Sequence, residues 1–285
     1  MQRKQRATTF AVMAILVLAA LAAAETSRKE MHFKVGHRAS ISIVNQYGPI
    51  SVKPGPGKRV TVTAISYSGK VEVDESKRGN RVSIVSHLLE GADGNTGRVD
   101  YEVLVPADAR VTMRSTTGPL HVERLHGDVI LEGSTAAVDV RDVSTGRVHI
   151  KTLNGPVTLT NVSDGYVEIT SVSGDVALHA VNGTSVHVNS STGKIHYDGD
   201  FGQGGQYSFT SHSGDIEAIA PSYASIEVVA RSVQGKVDND FPLEPEHTSF
   251  VPRAGSAFAG TVGQAASSVN LLSFSGKIHL KKREQ

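Results

Sequence analysis

The sequence predicts an all-β protein: a parallel β-helix or β-solenoid with about 19–21 residues per coil, preceded by a less regular β region. Three observations carry this. A phrase keeps returning, most often Ser/Thr-x-x-Gly, then one residue, then apolar-x-apolar; copies begin at Ser115, Arg124, Val143, Thr152, Val162, Ser171, Ser190, Ser211 and Ser273. Its glycines form two interleaved series, Gly118, Gly155, Gly174 and Gly193 against Gly127, Gly146, Gly165 and Gly183, with Ala136 or Ala137 filling the slot between Gly118 and Gly155. No stretch beyond the N-terminal leader shows helical periodicity.

Residues 1–24 read as a signal peptide. Arg3, Lys4 and Arg6 form a positive start, Ala11 to Leu21 an apolar run, and Ala22-Ala23-Ala24 a small-residue cleavage site ahead of Glu25. The apolar run falls short of the roughly 20 residues a transmembrane helix needs, so an uncleaved membrane anchor is the lesser alternative. The chain carries 29 Lys+Arg and 28 Asp+Glu; without the leader's three basic residues it is slightly acidic. No cluster of basic residues suggests nucleic acid, and Lys281-Lys282-Arg283 reads as a solvated tail. The absence of Cys removes disulfides, thiol nucleophiles, thiolate metal sites and lipid attachment through Cys. The absence of Trp argues mildly against a sugar-binding cleft.

Residues 25–106 are expected to form the N-terminal β region. Ile41 and Ile43 alternate with polar residues, Asn45-Gln-Tyr-Gly48 and Ser66-Tyr-Ser-Gly69 are early copies of the phrase, and Val99 to Val105 alternate up to Pro106. Pro54 to Gly57 is a turn, and Gly91 to Gly97 an exposed loop.

Residues 107–285 are expected to form the solenoid with a C-terminal cap, with one continuous domain including 25–106 as the alternative. Two phrases make a coil, each giving one strand and one turn. The expected inward ladder is Val129/Leu131, Val148/Ile150, Val157/Leu159, Val167/Ile169, Val176/Leu178, Val186/Val188 and Ile195/Tyr197. The turn glycines, continued by Gly214, Gly235 and Gly276, are expected to take positive φ. The Pro242, Pro245 and Pro252 region interrupts the pattern, and Ser273-Phe-Ser-Gly276 is expected to close the array.

These residues resemble the bacterial putative-adhesin family of β-strand-repeat domains, related to auto-transporter adhesin heads. The signal-like leader, the Asn45 phrase, Val103-Leu-Val-Pro106, the repeats, and Gly260-Thr-Val-Gly263 ahead of the Ser273 phrase carry the likeness. The resemblance implies a right-handed β-helix-like fold on the exported side of a bacterial membrane and brings no catalytic residues.

Candidate chemistry is sparse. His121, His149, His187, His196 and His279 should face outward, between inward positions. His149, Glu168 and His187 occupy matching slots in successive coils, a weak candidate for a divalent metal against the plainer reading of a solvated ladder. Asp128, Asp175 and Asp215 follow turn glycines without the denser calcium-binding signature, which favours turn hydrogen bonding. Asp198/Asp200 and Asp238/Asp240 are the nearest thing to the paired carboxylates of a glycan-cleaving enzyme. Asn161, Asn182 and Asn189 match glycosylation acceptors, a match that Ser/Thr-rich repeats produce by chance. Serines such as Ser171, Ser190 and Ser211 should stack along the turns. The expectation is an exported, non-enzymatic interaction module of the cell envelope, adhesin-like or scaffolding. It uses no cofactor and binds an envelope protein or glycan. The alternatives are a periplasmic stress or assembly accessory protein pairing through a strand edge, and a carbohydrate-active enzyme.

Overall fold

The computed structural model describes residues 26–244 and 256–284. The expected signal peptide, Pro245 and Pro252 lie outside these residues. The described elements are all strands: β1 (Ser27–Lys34), β2 (Ser40–Asn45), β3 (Ile50–Pro54), β4 (Arg59–Ser66), β5 (Val71–Arg78), β6 (Arg81–Leu88), β7 (Val99–Val105), β8 (Arg110–Ser115), β9 (Leu120–Glu123), β10 (Val129–Gly133), β11 (Val138–Ser144) and β12 (Arg147–Thr152). The chain continues through β13 (Val157–Ser163), β14 (Tyr166–Ser171), β15 (Val176–Asn182), β16 (Ser185–Ser190), β17 (Ile195–Asp198), β18 (Gln206–Ser211), β19 (Ile216–Ala220), β20 (Ile226–Ser232), β21 (Val237–Asn239), β22 (Ser256–Val262), β23 (Ser267–Ser273) and β24 (Ile278–Lys282).

These strands form two twelve-stranded sheets. Sheet A runs β1-β4-β7-β3-β9-β11-β13-β15-β17-β19-β24-β21, and sheet B runs β22-β20-β23-β18-β16-β14-β12-β10-β8-β2-β6-β5. Alternation of apolar and polar residues dictates which side of each strand faces the other sheet. Parallel pairing keeps like positions in register, so Val129, Val148, Val167, Val186 and Tyr207 form one buried row. Every residue of the expected inward ladder is buried. The fold is the β-solenoid the sequence announces, and its coils extend through β2/β3 and β6/β7 on the N-terminal side.

Both ends depart from sequence order. The Ser273 phrase was expected to close the array, but β23 lies between β18 and β20, and β24 between β19 and β21. The last coil in sequence is therefore one coil in from the end. At the other end β2/β3 sits between β6/β7 and β8/β9. Beyond the parallel coils, β4, β1, β5 and β22 run antiparallel. The outermost β1 and β5 are rich in charged residues, which disfavours edge-to-edge pairing.

The returning phrase has a steric cause. The serine or threonine side chain points inward and is buried: Ser171 Oγ donates to Gly174 O at 2.6 Å, and Ser190 Oγ to Gly193 O at 2.8 Å. Thr152 Oγ1 both donates to Gly155 O and accepts from its N–H, each at 3.1 Å. The expectation of positive φ at the array glycines is overturned, since Gly118, Gly127, Gly146, Gly155, Gly165, Gly174, Gly183, Gly193, Gly214, Gly235 and Gly276 all lack it. What excludes a side chain is the backbone of the neighbouring coil: a Cβ on Gly174 would stand 2.0 Å from Gly155 O, and one on Gly193 2.1 Å from Gly174 O. The left-handed residues at the opposite edge are non-glycines, including Asp142, Asn161, Ala180, Thr145 and Asp164.

One coil inverts the rule. Gly133 stands in the serine slot and Ala136 in the glycine slot, and a Cβ on Gly133 would lie 3.1 Å from the Ala136 methyl. The two positions exchange as a pair. By contrast Ser66-Tyr-Ser-Gly69, an apparent copy of the phrase, links β4 of sheet A to β5 of sheet B, and a Cβ on Gly69 would meet nothing within 4 Å.

Candidate functional site

The outward rows of both sheets hold the polar chemistry. His149, Glu168 and His187 occupy adjacent registered positions on β12, β14 and β16. His149 Nδ1 lies 3.1 Å from Glu168 Oε2, whereas the His187 ring faces Tyr166 at 6.0 Å. Among the described residues no group of three His, Asp or Glu side chains is arranged to hold a metal ion. The other outward histidines also meet carboxylates: His121 with Asp139 at 3.0 Å, His196 with Glu217 at 2.9 Å, and His279 with Asp240 at 2.9 Å.

The turn aspartates act between coils. Asp175 Oδ1 accepts the Lys194 N–H, and Asp215 Oδ1 the Lys277 N–H, both at 2.8 Å; Asp128 Oδ1 accepts the Arg147 N–H at 3.1 Å. Pro49, Pro119 and Pro156 occupy the same slot after the turn in other coils, where the missing N–H needs no acceptor. Asn161, one of the glycosylation matches, donates its amide to Asp142 at 2.6 Å.

A glycan-cleaving acid needs a raised carboxyl, and both carboxyls of the Asp238/Asp240 pair are shifted the other way. Asp238 is held below the usual carboxylate range by hydrogen bonds from Lys236 and Lys277. Asp240 is held down chiefly by its hydrogen bond with His279. Asp198 is bonded to Arg283, so the basic end of the chain is engaged in the fold instead of forming a solvated tail; Lys281 and Lys282 belong to β24.

A shallow groove of about 720 Å³ runs across the strand ends of β2, β8, β10, β12 and β14. Registered Arg114, Glu132 and Lys151 form a charge row on its floor, with Arg114 Nε 2.8 Å from Glu132 Oε2. The exposed side chains of Leu153 and Val172 line its turn side. Sequence reasoning passed over these two because they fall at the variable positions inside Thr152-Leu-Asn-Gly155 and Ser171-Val-Ser-Gly174. Large apolar residues in a turn slot that Thr116 and Ser191 fill with small polar side chains were the available signal.

Among curated proteins none matches the chain. Three solved structures are similar. A putative cell adhesion protein from Clostridium sporogenes is 12% identical, with 90% of this chain and 100% of that one covered and a TM-score of 0.30. A putative adhesin from Bacteroides fragilis is 12% identical, covering 90% and 97%, with a TM-score of 0.46. A putative adhesin from Parabacteroides merdae is 9% identical, covering 90% and 96%, with a TM-score of 0.46. The family profile described as Toastrack DUF4097 matches residues 39–281, from just before the first coil to the penultimate residue of β24, and the chain belongs to that family.

Proposed function

We propose that the protein is an exported, non-enzymatic interaction module of the bacterial cell envelope, adhesin-like or scaffolding. It binds a protein or glycan across several coils at once. The observation that carries this is the groove across five strands, where exposed Leu153 and Val172 stand beside the Arg114, Glu132 and Lys151 row. Apolar contact area beside fixed charges of both signs suits an extended partner, and the openness of the groove suits binding more than chemistry. The lowered carboxyls of Asp238 and Asp240 are consistent with the absence of a glycan-cleaving acid. Partner capture by strand addition is disfavoured at β1 and β5, whose charged residues blunt those edges.

A pull-down from intact bacterial envelopes with the purified protein tests the reading. Specific retention of an envelope component, weakened by Leu153→Asp or Val172→Asp, is the expected result. Retention of nothing, or retention indifferent to both substitutions, would overturn the groove as the contact surface.

A further inference from the structure

At the N-terminal end of the solenoid, three stretches of chain meet at the edge where β2 and β6 begin: the link from β1 to β2, the turn into β4, and the β5–β6 hairpin. They are stitched to one another. Val35 N–H donates to Lys58 O at 3.1 Å and Ser40 N–H to Asn80 O at 3.0 Å. Asn80 Nδ2 donates to His37 O at 2.8 Å, and its Oδ1 accepts the Gly36 N–H. Together the three stretches carry six exposed cations, Lys34, Arg38, Lys58, Arg59, Arg78 and Arg81, which the sequence spreads over residues 34–81.

Two features set these cations apart from an ordinary solvated surface. Lys34 registers directly against Arg59, and Arg78 against Arg81. Side chains so placed stand about 4.5–5.5 Å apart at Cβ, where like charges destabilise the pairing. None of the six makes an ion pair among the described residues. The carboxylates of this end have other partners: Asp108 Oδ2 accepts the Arg38 backbone N–H at 3.1 Å and lies 3.3 Å from His37 Nδ1, Asp74 lies 3.1 Å from His87, and Glu75 3.4 Å from Lys29. Along β5 the charges are also sorted, with Glu72, Asp74 and Glu75 first and Lys77 and Arg78 last. One edge of this end is therefore cationic, and the repulsion it holds is relieved by an anionic partner.

We infer that this edge rests on an anionic phospholipid surface, a contact beyond the partner binding assigned to the groove. Val60 and Val82 are buried, so their neighbours Arg59 and Arg81 project outward, with Lys34 beside Arg59 on sheet A and Arg78 beside Arg81 on sheet B. Arg38 and Lys58 lie on the rim between. Only Arg38 and Arg81 line the adjoining concavity of about 770 Å³, so a ligand seated there leaves the other four cations unmet. A broad array of phosphates meets all six, because long Lys and Arg side chains reach past the rim. The chain itself supplies a second pointer: β1, the outermost strand of sheet A at this end, is the element that follows the apolar run Ala11 to Leu21. Basic clusters next to a membrane-directed apolar segment are what anionic headgroups attract. Single-stranded nucleic acid suits the edge less, since it tracks a groove and stacks bases on aromatic faces, and Phe33 packs against the core. The groove of Arg114, Leu153 and Val172 lies at the opposite edge of sheet B and stays clear of such a surface.

The test is flotation of the purified protein with vesicles of phosphatidylcholine and phosphatidylglycerol in equal parts. Vesicles of phosphatidylcholine alone, a soluble polyphosphate and a single-stranded oligodeoxynucleotide are the comparisons. The protein is expected to bind the phosphatidylglycerol vesicles, to ignore the neutral ones and to detach as salt rises. The variant Lys34→Gln/Arg59→Gln/Arg78→Gln/Arg81→Gln should bind these vesicles about a hundredfold more weakly or worse, at roughly fivefold for each cation near the surface. Its Tm should equal or exceed that of the parent, because both like-charge pairs are relieved. Arg141→Gln/Lys194→Gln, which removes exposed cations on other coils, should bind as the parent does. No binding to phosphatidylglycerol vesicles, equal binding to neutral ones, tighter capture of the polyphosphate or the oligonucleotide, or an unaffected fourfold variant would each overturn the proposal. Any of these alongside intact capture of an envelope component by the groove would leave the broader function standing.

Discussion

Gly174→Ala tests whether coil spacing, and not turn conformation, dictates the glycine column. The added Cβ would stand 2.0 Å from Gly155 O, 2.7 Å from Gly155 C and 3.2 Å from Asn154 C, all backbone atoms of the adjacent coil. No flexible side chain can yield, so two parallel strands must separate or the turn must tilt. Overpacking of this kind costs about 1–3 kcal/mol, and contact with rigid backbone places the expected value at or above the upper end. A loss of about 3 kcal/mol lowers the Tm of a chain of this size by roughly 6–12 °C. Gly69→Ala is the matched control: it sits in the same Ser-x-x-Gly-x-Val phrase, but its Cβ would enter open space at ordinary φ. It should be neutral or stabilise by about 0.4–1 kcal/mol through the unfolded chain. The double variant Ser171→Gly/Gly174→Ala copies the Gly133/Ala136 exchange and should recover part of the loss. Calorimetry or denaturant unfolding of the three variants decides. Gly174→Ala within about 0.5 kcal/mol of the parent, the scale of an ordinary surface change, would refute the steric argument. So would equal losses at Gly174 and Gly69.

Ser171→Ala removes the Oγ donor to Gly174 O in a buried setting and should cost about 1–3 kcal/mol, read by the same unfolding measurement. Asp175→Ala strands the Lys194 N–H and should cost about 1 kcal/mol, while Asp175→Asn, which keeps an acceptor oxygen, should cost less. The Glu123 carboxyl is held down to about 2 by hydrogen bonds from Arg124 and His121, with Lys53 nearby. Its contribution is complete above its ordinary value of 4.5 and is lost as pH falls toward 2, so Glu123→Gln should flatten the decline in Tm across that window.

The inward ladder was legible because period-two alternation has a single reading once a turn phrase fixes the phase. Val148 and Ile150 can share a face only if His149 takes the other. The cause of the glycine column was not legible, since a required glycine looks the same whether it serves positive φ or close approach. Gly174 and Gly69 share one phrase and differ only in what stands across from them. The end topology was hidden for a related reason. The Ser273 phrase has the pattern of any coil, and nothing local tells β24 to insert between β19 and β21. Long-range ordering also decides which residues share a row: Arg81 and Arg110 both register against Ser40 because β2 lies between their strands. The histidines lie on the outer faces, and the carboxylate partners of His121, His149 and His196 follow from register, whereas His279 meets Asp240 and not its registered neighbour Asp238.

The most direct test of the account is to incubate the protein with a panel of bacterial envelope polysaccharides and follow both retention and polymer length. Binding of a polysaccharide or of an envelope protein carried with it, with every polymer unchanged in length, is the predicted result. Release of shortened oligosaccharides would contradict it and turn attention to the Asp198/Asp200 and Asp238/Asp240 loops.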